Sequence, residues 1–365
     1  MRGNIVKTPK VSVIVPVHNA MPYLRKCLDS IAAQALQDIE VLCVDDGSTD
    51  EGPDILAEYA ARDDRFRILR QENAGGGAAR NLGMSRARGK YLSFLDADDF
   101  FHPNLLKLAS HRAEEANADI VIYRVRQYHQ DTGRYTSVPG SYCRENLPSQ
   151  QVFSAADMPD FLFNSFQNWP WNKLFSRTFI QKYDITFQEL QRTNDMRFVC
   201  TALAEARRIA LLDRALVYYR TNTAVSCQDT NYKAPMDFLE AFIGTRDELV
   251  KRGKFPLLEQ SFSNWVLDGL ITNLRSMQDR ECLPMVYRAV RERGLAELKL
   301  TEHPEHYYYN PISRQILEEI IASETPPEML FETGRTQKAA AYAQRYGLRR
   351  LAQKLYGRCL ERLRS

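Results

Sequence analysis

Two periods of apolar residues alternate along the amino-terminal third of the chain. Val11-Ser12-Val13-Ile14-Val15-Pro16-Val17 is a β-branched run closed by His18-Asn19, which predicts a strand running into a loop. Pro16 falls near its end, where a missing amide donor is tolerated. Tyr23, Leu24, Cys27, Leu28 and Ile31 then recur at helical spacing, with Pro22 placed for a first turn. Ile39 to Val44 predicts a second strand, closed by Asp45 and Asp46 and followed by Gly47-Ser48-Thr49-Asp50. Strand, helix and strand with short joins make a βαβ unit, whose sheet is parallel. Ile55, Leu56 and Tyr59 resume the helical period, Phe66 to Leu69 predicts a third strand, and Asn73 to Asn81 leads through glycines into a small-residue helix. Tyr91-Leu92-Ser93-Phe94-Leu95 is apolar enough for a strand covered on both faces, and it ends on Asp96-Ala97-Asp98-Asp99. The expected class is α/β: a mostly parallel, twisted, Rossmann-like sheet flanked by helices, with ligands in the crevice outside its strand ends.

The carboxy-terminal third keeps to the helical period. From about Pro235, Phe238, Leu239, Phe242 and Ile243, then Trp265, Val266, Leu270 and Leu274, form core-like stripes, punctuated by Pro304, Pro311, Pro326 and Pro327. A last helix over roughly Gln337 to Arg364 sets Lys338, Arg345, Arg349, Arg350, Lys354, Arg358, Arg362 and Arg364 against one acid, Glu361. Leu348, Leu351, Leu355 and Leu363 run beside that charge. A basic amphipathic helix of this kind lies on an anionic membrane surface, packs on its own domain, or makes a dimer contact; the three stay open.

At 365 residues, 44% hydrophobic and 26% charged, the chain is a globular protein long enough for one large domain and a second. No apolar run spans a bilayer, and Met1 to Lys10 lacks the apolar region of a signal peptide, so a cytoplasmic, unprocessed chain is expected. Seven scattered cysteines without a C-x-x-C pair indicate neither a disulfide framework nor a zinc site. A net charge of +3 is too small to point to nucleic acid.

Chemistry gathers at the predicted strand ends. Asp96, Asp98 and Asp99 arrive together, and carboxylates that close require a counter-charge. Mg²⁺ or Mn²⁺ would supply one, since either takes oxygen ligands and commonly bridges protein carboxylates to substrate phosphates. The other reading is an acidic turn capping a helix that starts near Pro103. Gly75-Gly76-Gly77 fits neither a P-loop nor G-x-G-x-x-G, so ATPase and nicotinamide chemistry find no support; as a bare flexible turn it would be unremarkable. Arg80 tilts that balance, because a guanidinium forms paired hydrogen bonds with phosphate oxygens. The six histidines show no ligand clustering, and His303 and His306 flank Pro304 as a surface turn.

Four segments, Val11 to Asn19, Val44 to Asp50, Asn73 to Gly83 and Phe94 to Asp99, resemble in order and spacing the family 2 glycosyltransferases with a GT-A fold. The resemblance implies that Pro16, Val17, Asp45 and Asp46 hold the base and ribose of a nucleoside diphosphate sugar, with His18 where the family most often has tyrosine. It implies Asn73 and Arg80 near the ribose and diphosphate, Asp98 on a divalent metal, Asp96 facing the ribose or a metal-bound water, and Asp99 as structural. Trp171-Asn172-Lys173-Leu174-Phe175 looks like the acceptor-side segment, which brings in Trp171 and Lys173. Thr193 to Phe198 looks like the family's Glu-Asp-x-x-Phe motif, with Asn194 in place of Glu, and makes Asp195 the implied general base. The residues' own pattern also allows a helix N-terminal carboxylate there, since Met196, Val199 and Leu203 follow at helical spacing. Val217 to Arg220 resembles the closing strand, followed by a serine-bearing loop at Thr221 to Gln228, and Arg220 would reach a phosphate or pin that loop.

On this likeness, residues 1–230 are a catalytic domain with a donor half at about 8–128 and an acceptor half at about 129–230, and 231–365 are a helical region for acceptor, membrane-surface or oligomer contact. The implied activity is inverting transfer from a UDP-linked sugar to a glycan or lipid-linked acceptor in cell-surface polysaccharide synthesis, in the cytoplasm or at the inner face of the membrane. Three rivals remain. A nucleotidyltransferase that makes nucleotide sugars needs a glycine-rich arginine-lysine loop where this chain has His18-Asn19-Ala20. A catalytically silent nucleotide- or glycan-binding module is another, and a scaffold or oligomer subunit built on the helical third, with incidental transferase ancestry, is the last.

Overall fold

The computed structural model describes residues 8–221, 232–278 and 280–331. The basic helix expected over Gln337 to Arg364, and the loop expected after Thr221, lie outside the described residues. In chain order the elements are β1 (Val11–Val17), α1 (Leu24–Ala32), β2 (Ile39–Asp46), α2 (Gly52–Arg62), β3 (Phe66–Gln71), α3 (Gly75–Arg86), β4 (Tyr91–Phe94), β5 (Phe100–Phe101) and α4 (Leu105–Ala116). There follow β6 (Ile120–His129), β7 (Tyr135–Ser137), β8 (Val152–Phe153), α5 (Leu162–Ser165), β9 (Lys173–Ser176), α6 (Arg177–Lys182), α7 (Met196–Glu205) and β10 (Ile209–Thr221). The helical region contributes α8 (Asp237–Lys251), α9 (Phe255–Ser276), α10 (Leu283–Ala289), α11 (Leu295–Glu297), α12 (Pro311–Ala322) and α13 (Glu328–Phe331). None of the described helices is long and apolar enough to cross a membrane.

One sheet runs through the molecule in the order β3-β2-β1-β4-β9-β6-β10-β5. β3, β2, β1 and β4 are parallel neighbours, with Val13 opposite both Val41 and Ser93. β9 enters antiparallel between β4 and β6, and β10 runs parallel to β6. β1 to β4, β6 and β10 therefore share one direction, and their carboxyl ends line one edge.

Side-chain alternation divides the sheet between two cores. Val11, Val13, Val15 and Val17 pack with Leu24, Leu28, Leu56 and Leu106 of α1, α2 and α4. Ile14 points the other way, into a core with Leu42, Phe94, Phe175 and Phe198. Phe187 stacks on Phe198 with ring centroids 3.9 Å apart, and both meet Phe94 edge-on. The same core continues through Phe163 and Phe262 to Phe242 and Trp265, so the helical region and the sheet share it. Each aromatic ring buried there contributes about 1.5–3 kcal/mol.

α8 and α9 follow the predicted stripes, burying Phe238, Leu239 and Phe242, then Leu270 and Leu274. Two local expectations differ. Pro22 lies ahead of α1 rather than in its first turn, and Tyr23 is the residue at the cap. β10 begins at Ile209, well before Val217, because Asp213 breaks its apolar pattern at an irregularity in the register. That aspartate pairs with Arg124 and Arg144 and accepts a hydrogen bond from the Tyr142 hydroxyl at 2.9 Å.

Candidate active site

β2 is buried along its whole length, so the carboxylates at its end must be satisfied by the protein itself. Asp46 accepts from Gln71 Nε2 at 2.7 Å and from the backbone amides of Ala74 and Gly75 at 2.8 and 2.9 Å. Three donors on one buried charge fix the turn that leads into α3. Asp45 accepts from the Ser48 amide at 3.0 Å and pairs with Arg70 at 3.3 Å, while Gly47, at φ +70°, turns the chain between them in a region side chains rarely enter. His18 is exposed above these strand ends. Its Nδ1 lies 2.9 Å from the Asp46 carbonyl, which only accepts, so Nδ1 carries the proton and Nε2 accepts from Asn73 Nδ2 at 3.2 Å. Pro16, Val17, His18, Asn73, Asp45 and Asp46 thus converge, with Asp46 committed to holding backbone.

The glycines are helix rather than loop. Gly75 to Gly77 form the first turn of α3, and a Cβ on Gly77 would collide with the Gln188 carbonyl oxygen. Their smallness lets the segment around Gln188 to Asn194 pack directly on α3. Arg80, buried one turn further, donates from Nη1 to Asn194 Oδ1 at 2.9 Å and from Nη2 to Asp96 Oδ1 at 2.6 Å. Its Nε has no partner among the described residues.

Asp96, Asp98 and Asp99 lie on the loop between β4 and β5, and α4 starts later, behind Asn104, so they do not cap it. Asp99 is buried and accepts from the Arg220 amide at 2.8 Å. Arg220 also donates from Nε to the Asp98 carbonyl at 2.7 Å and from Nη1 to Gln130 Oε1, so it pins the aspartate loop; its buried Nη2 has no partner among the described residues.

Asp98 points an exposed face to solvent and forms no ion pair among the described residues. Enclosure of its other faces and the neighbouring Asp96 charge push its carboxyl up to about 6, against the pull of Arg220 and Arg80; the open face limits the first effect. A cation would relieve that repulsion, and a carboxylate pair suits the oxygen preference of Mg²⁺ or Mn²⁺. The described residues hold no cluster of three or more His, Cys, Asp or Glu side chains able to hold a metal by themselves.

On the far side, Asp195 stands at the N-cap of α7, but its side chain makes no capping hydrogen bond. Enclosure pushes its carboxyl up to about 6; Arg80 and Lys173 oppose this, and Asp96 adds to it. Trp171 is buried, stacked on Trp169 at 4.6 Å and on Tyr219 at 5.4 Å, with interplanar angles of 12° and 11°. Lys173 is wholly buried at the start of β9.

The sequence profile of glycosyl transferase family 2 matches residues 12–184. The glycosyltransferase GlyG of Streptococcus pneumoniae is 31% identical over 241 residues, which take in 64% of this chain and 78% of GlyG. The chain belongs to glycosyl transferase family 2. The uncharacterized glycosyltransferase EpsJ of Bacillus subtilis is 34% identical over 234 residues, 63% of this chain and 66% of EpsJ, so the match spans just under two thirds of that relative. The crystal structure of S. aureus TarS 1–349 in complex with UDP-GlcNAc superposes with a TM-score of 0.64 at 23% identity, over 93% of this chain and 92% of that one. At that identity the likeness is one of fold, the GT-A fold.

In this family 2 chain several contributors escape a reading by motif. Gln71 holds Asp46 because the two are register partners on β3 and β2, which the sequence does not display. Asn194 stands within the motif of Asp195, but its bond to Arg80 is not written there. Gln130 meets Arg220 from the end of β6, with no motif around it.

Proposed function

We propose that this protein is an inverting glycosyltransferase that moves a sugar from a UDP-linked donor to a glycan or lipid-linked acceptor in cell-surface polysaccharide synthesis, in the cytoplasm or at the inner face of the membrane. The observation that carries the reading is the Arg80 guanidinium held between Asp96 and Asn194. It sets a metal-suited carboxylate pair and the Asp195 segment on two sides of one fixed cation. His18 and Asn73, joined to each other, frame the nucleobase beside Pro16 and Val17, and Asp45 faces the ribose. Inversion needs a base opposite the leaving group. Asp195, with its carboxyl at about 6, is ionised at neutral pH and still basic enough to take the acceptor hydroxyl proton. A divalent ion on Asp98 and Asp96 would neutralise charge gathering on the departing diphosphate. Arg220 adds a buried donor, Nη2, toward the same charge. The UDP-GlcNAc complex of TarS supports UDP as the nucleotide to try first.

Calorimetric titration of UDP, with and without Mn²⁺, into wild type and Asp98→Ala tests the donor site. Mn²⁺-dependent binding by wild type, weakened at least about tenfold in the variant, is the expected result. Silence toward UDP, GDP, CDP and dTDP alike, with Mn²⁺ or Mg²⁺, would overturn the transferase reading in favour of a module without a nucleotide donor.

A further inference from the structure

Among the described residues one fully buried group is an ammonium. Lys173 has no exposed surface, and among the described residues no carboxylate touches it. Its Nζ donates instead to the carbonyls of Gln167 and Trp169, each at 2.7 Å, and to Asn172 Oδ1 at 2.8 Å. Burial pushes the amine down to about 7, and the facing Cys200 and Asp195 groups push back. Three acceptor oxygens add to that resistance, because they use all three protons of an ammonium and a neutral amine has only two to give. An apolar residue of similar volume would avoid the cost of burying this charge.

The contacts say what the charge organises. Gln167, Trp169 and Asn172 belong to the turn that enters β9, and Lys173 closes that turn on itself. Asn172 is tied in turn to the Tyr123 carbonyl at 3.2 Å, and the Tyr123 hydroxyl lies 3.2 Å from the carbonyls of Trp171 and Lys173. The turn carries the Trp169 and Trp171 rings onto Tyr219, whose chain neighbour Arg220 grips the aspartate loop. The charged and titratable groups acting on Asp195 are Arg80 from α3, Asp96 from the loop after β4 and Lys173 from β9, with Cys200 on α7 itself.

We infer that Lys173 is a positioning residue of the acceptor half: its sealed ammonium fixes the Gln167 to Asn172 turn with its tryptophan stack, and supplies a standing positive charge to Asp195. The part concerning Asp195 rests on the transferase reading; the ammonium and the stack do not.

The test begins with wild type. In ¹⁵N-lysine-labelled protein, with the resonance assigned through Lys173→Arg, Lys173 should appear at pH 7 as an ammonium whose protons exchange slowly. A neutral amine there overturns the inference without recourse to any disruptive variant. Lys173→Met should lose the near-ultraviolet circular dichroism of the Trp169–Trp171 pair while keeping Mn²⁺-dependent UDP affinity within about threefold. Its acid limb for UDP release from UDP-GlcNAc should move up, as expected when a carboxylate loses a nearby cation. Lys173→Arg should hold the limb where wild type has it. An unmoved limb in Lys173→Met overturns the electrostatic role, and an unchanged tryptophan signal overturns the anchoring role. A wild type that neither binds UDP nor releases it from UDP-GlcNAc counts against the transferase reading instead, and the ammonium and tryptophan signals then judge Lys173 by themselves.

Discussion

Replacing Asp195 by Asn should make the protein more stable and nearly inactive. The folded carboxyl lies at about 6 against an ordinary 3.8. Between those values the folded chain keeps a proton that the unfolded chain has released. The folded state is therefore penalised as pH rises, fully above about 6 and not at all below 3.8. The gap corresponds to about 3 kcal/mol. The side chain keeps part of its surface in contact with solvent, which reduces the expected effect to about 1–2 kcal/mol. Asn carries no charge and escapes the penalty. Urea unfolding of both proteins at pH 4.5 and pH 7.5 reads this directly: the variant's advantage should grow by most of that amount between the two. UDP release from UDP-GlcNAc should fall by about 10²–10⁴, the usual contribution of a general base, with UDP binding retained. A stability difference that is equal at both pH values would refute the enclosure argument. Turnover that survives the substitution would remove Asp195 as the base.

Two further substitutions probe the scaffold beneath the site. Asp46→Ala strands the Ala74 and Gly75 amides and the Gln71 side chain, and should cost about 2–4 kcal/mol in urea unfolding. It should also weaken UDP binding, because the same turn carries Asn73. Gly77→Ala drives a methyl group against the Gln188 carbonyl and the Asn194 side chain, and should lower stability by about 1–3 kcal/mol. UDP release should fall with it, since the segment displaced carries Asp195; a variant as stable and active as wild type would show that α3 and that segment do not pack as described.

The parallel half of the sheet was legible because strands covered on both faces are written as near-continuous β-branched runs, as in β1 and β2. β9 was not placed by pattern: four residues are too few to carry a period, and nothing local says that they lie between β4 and β6. Asp96 and Asp98 were legible because their motif is contiguous. Arg80 stands out in sequence beside the glycines, but its partner Asn194 is 114 positions away. That Asp46 also holds Gln71 and two backbone amides is not legible in sequence, because the strand register that brings Gln71 beside it is a property of the sheet. Lys173 came in on a motif, and its burial stayed hidden because two of its three acceptors are backbone carbonyls, which any residue supplies.

β9 also decides when the fold can be completed. β4 has β1 on one side only until Lys173 to Ser176 have been synthesised, and β6 lacks the same neighbour. A nascent chain that has not yet delivered Ser176 therefore presents Tyr91 to Phe94 as an unpaired apolar edge, a template for another copy in the same state. Non-local pairing of this kind is slow, and long-lived open edges invite aggregation. Ribosomal pausing or truncation before Ser176 then leaves that edge open, whereas one after β10 leaves every described strand of the sheet in hand.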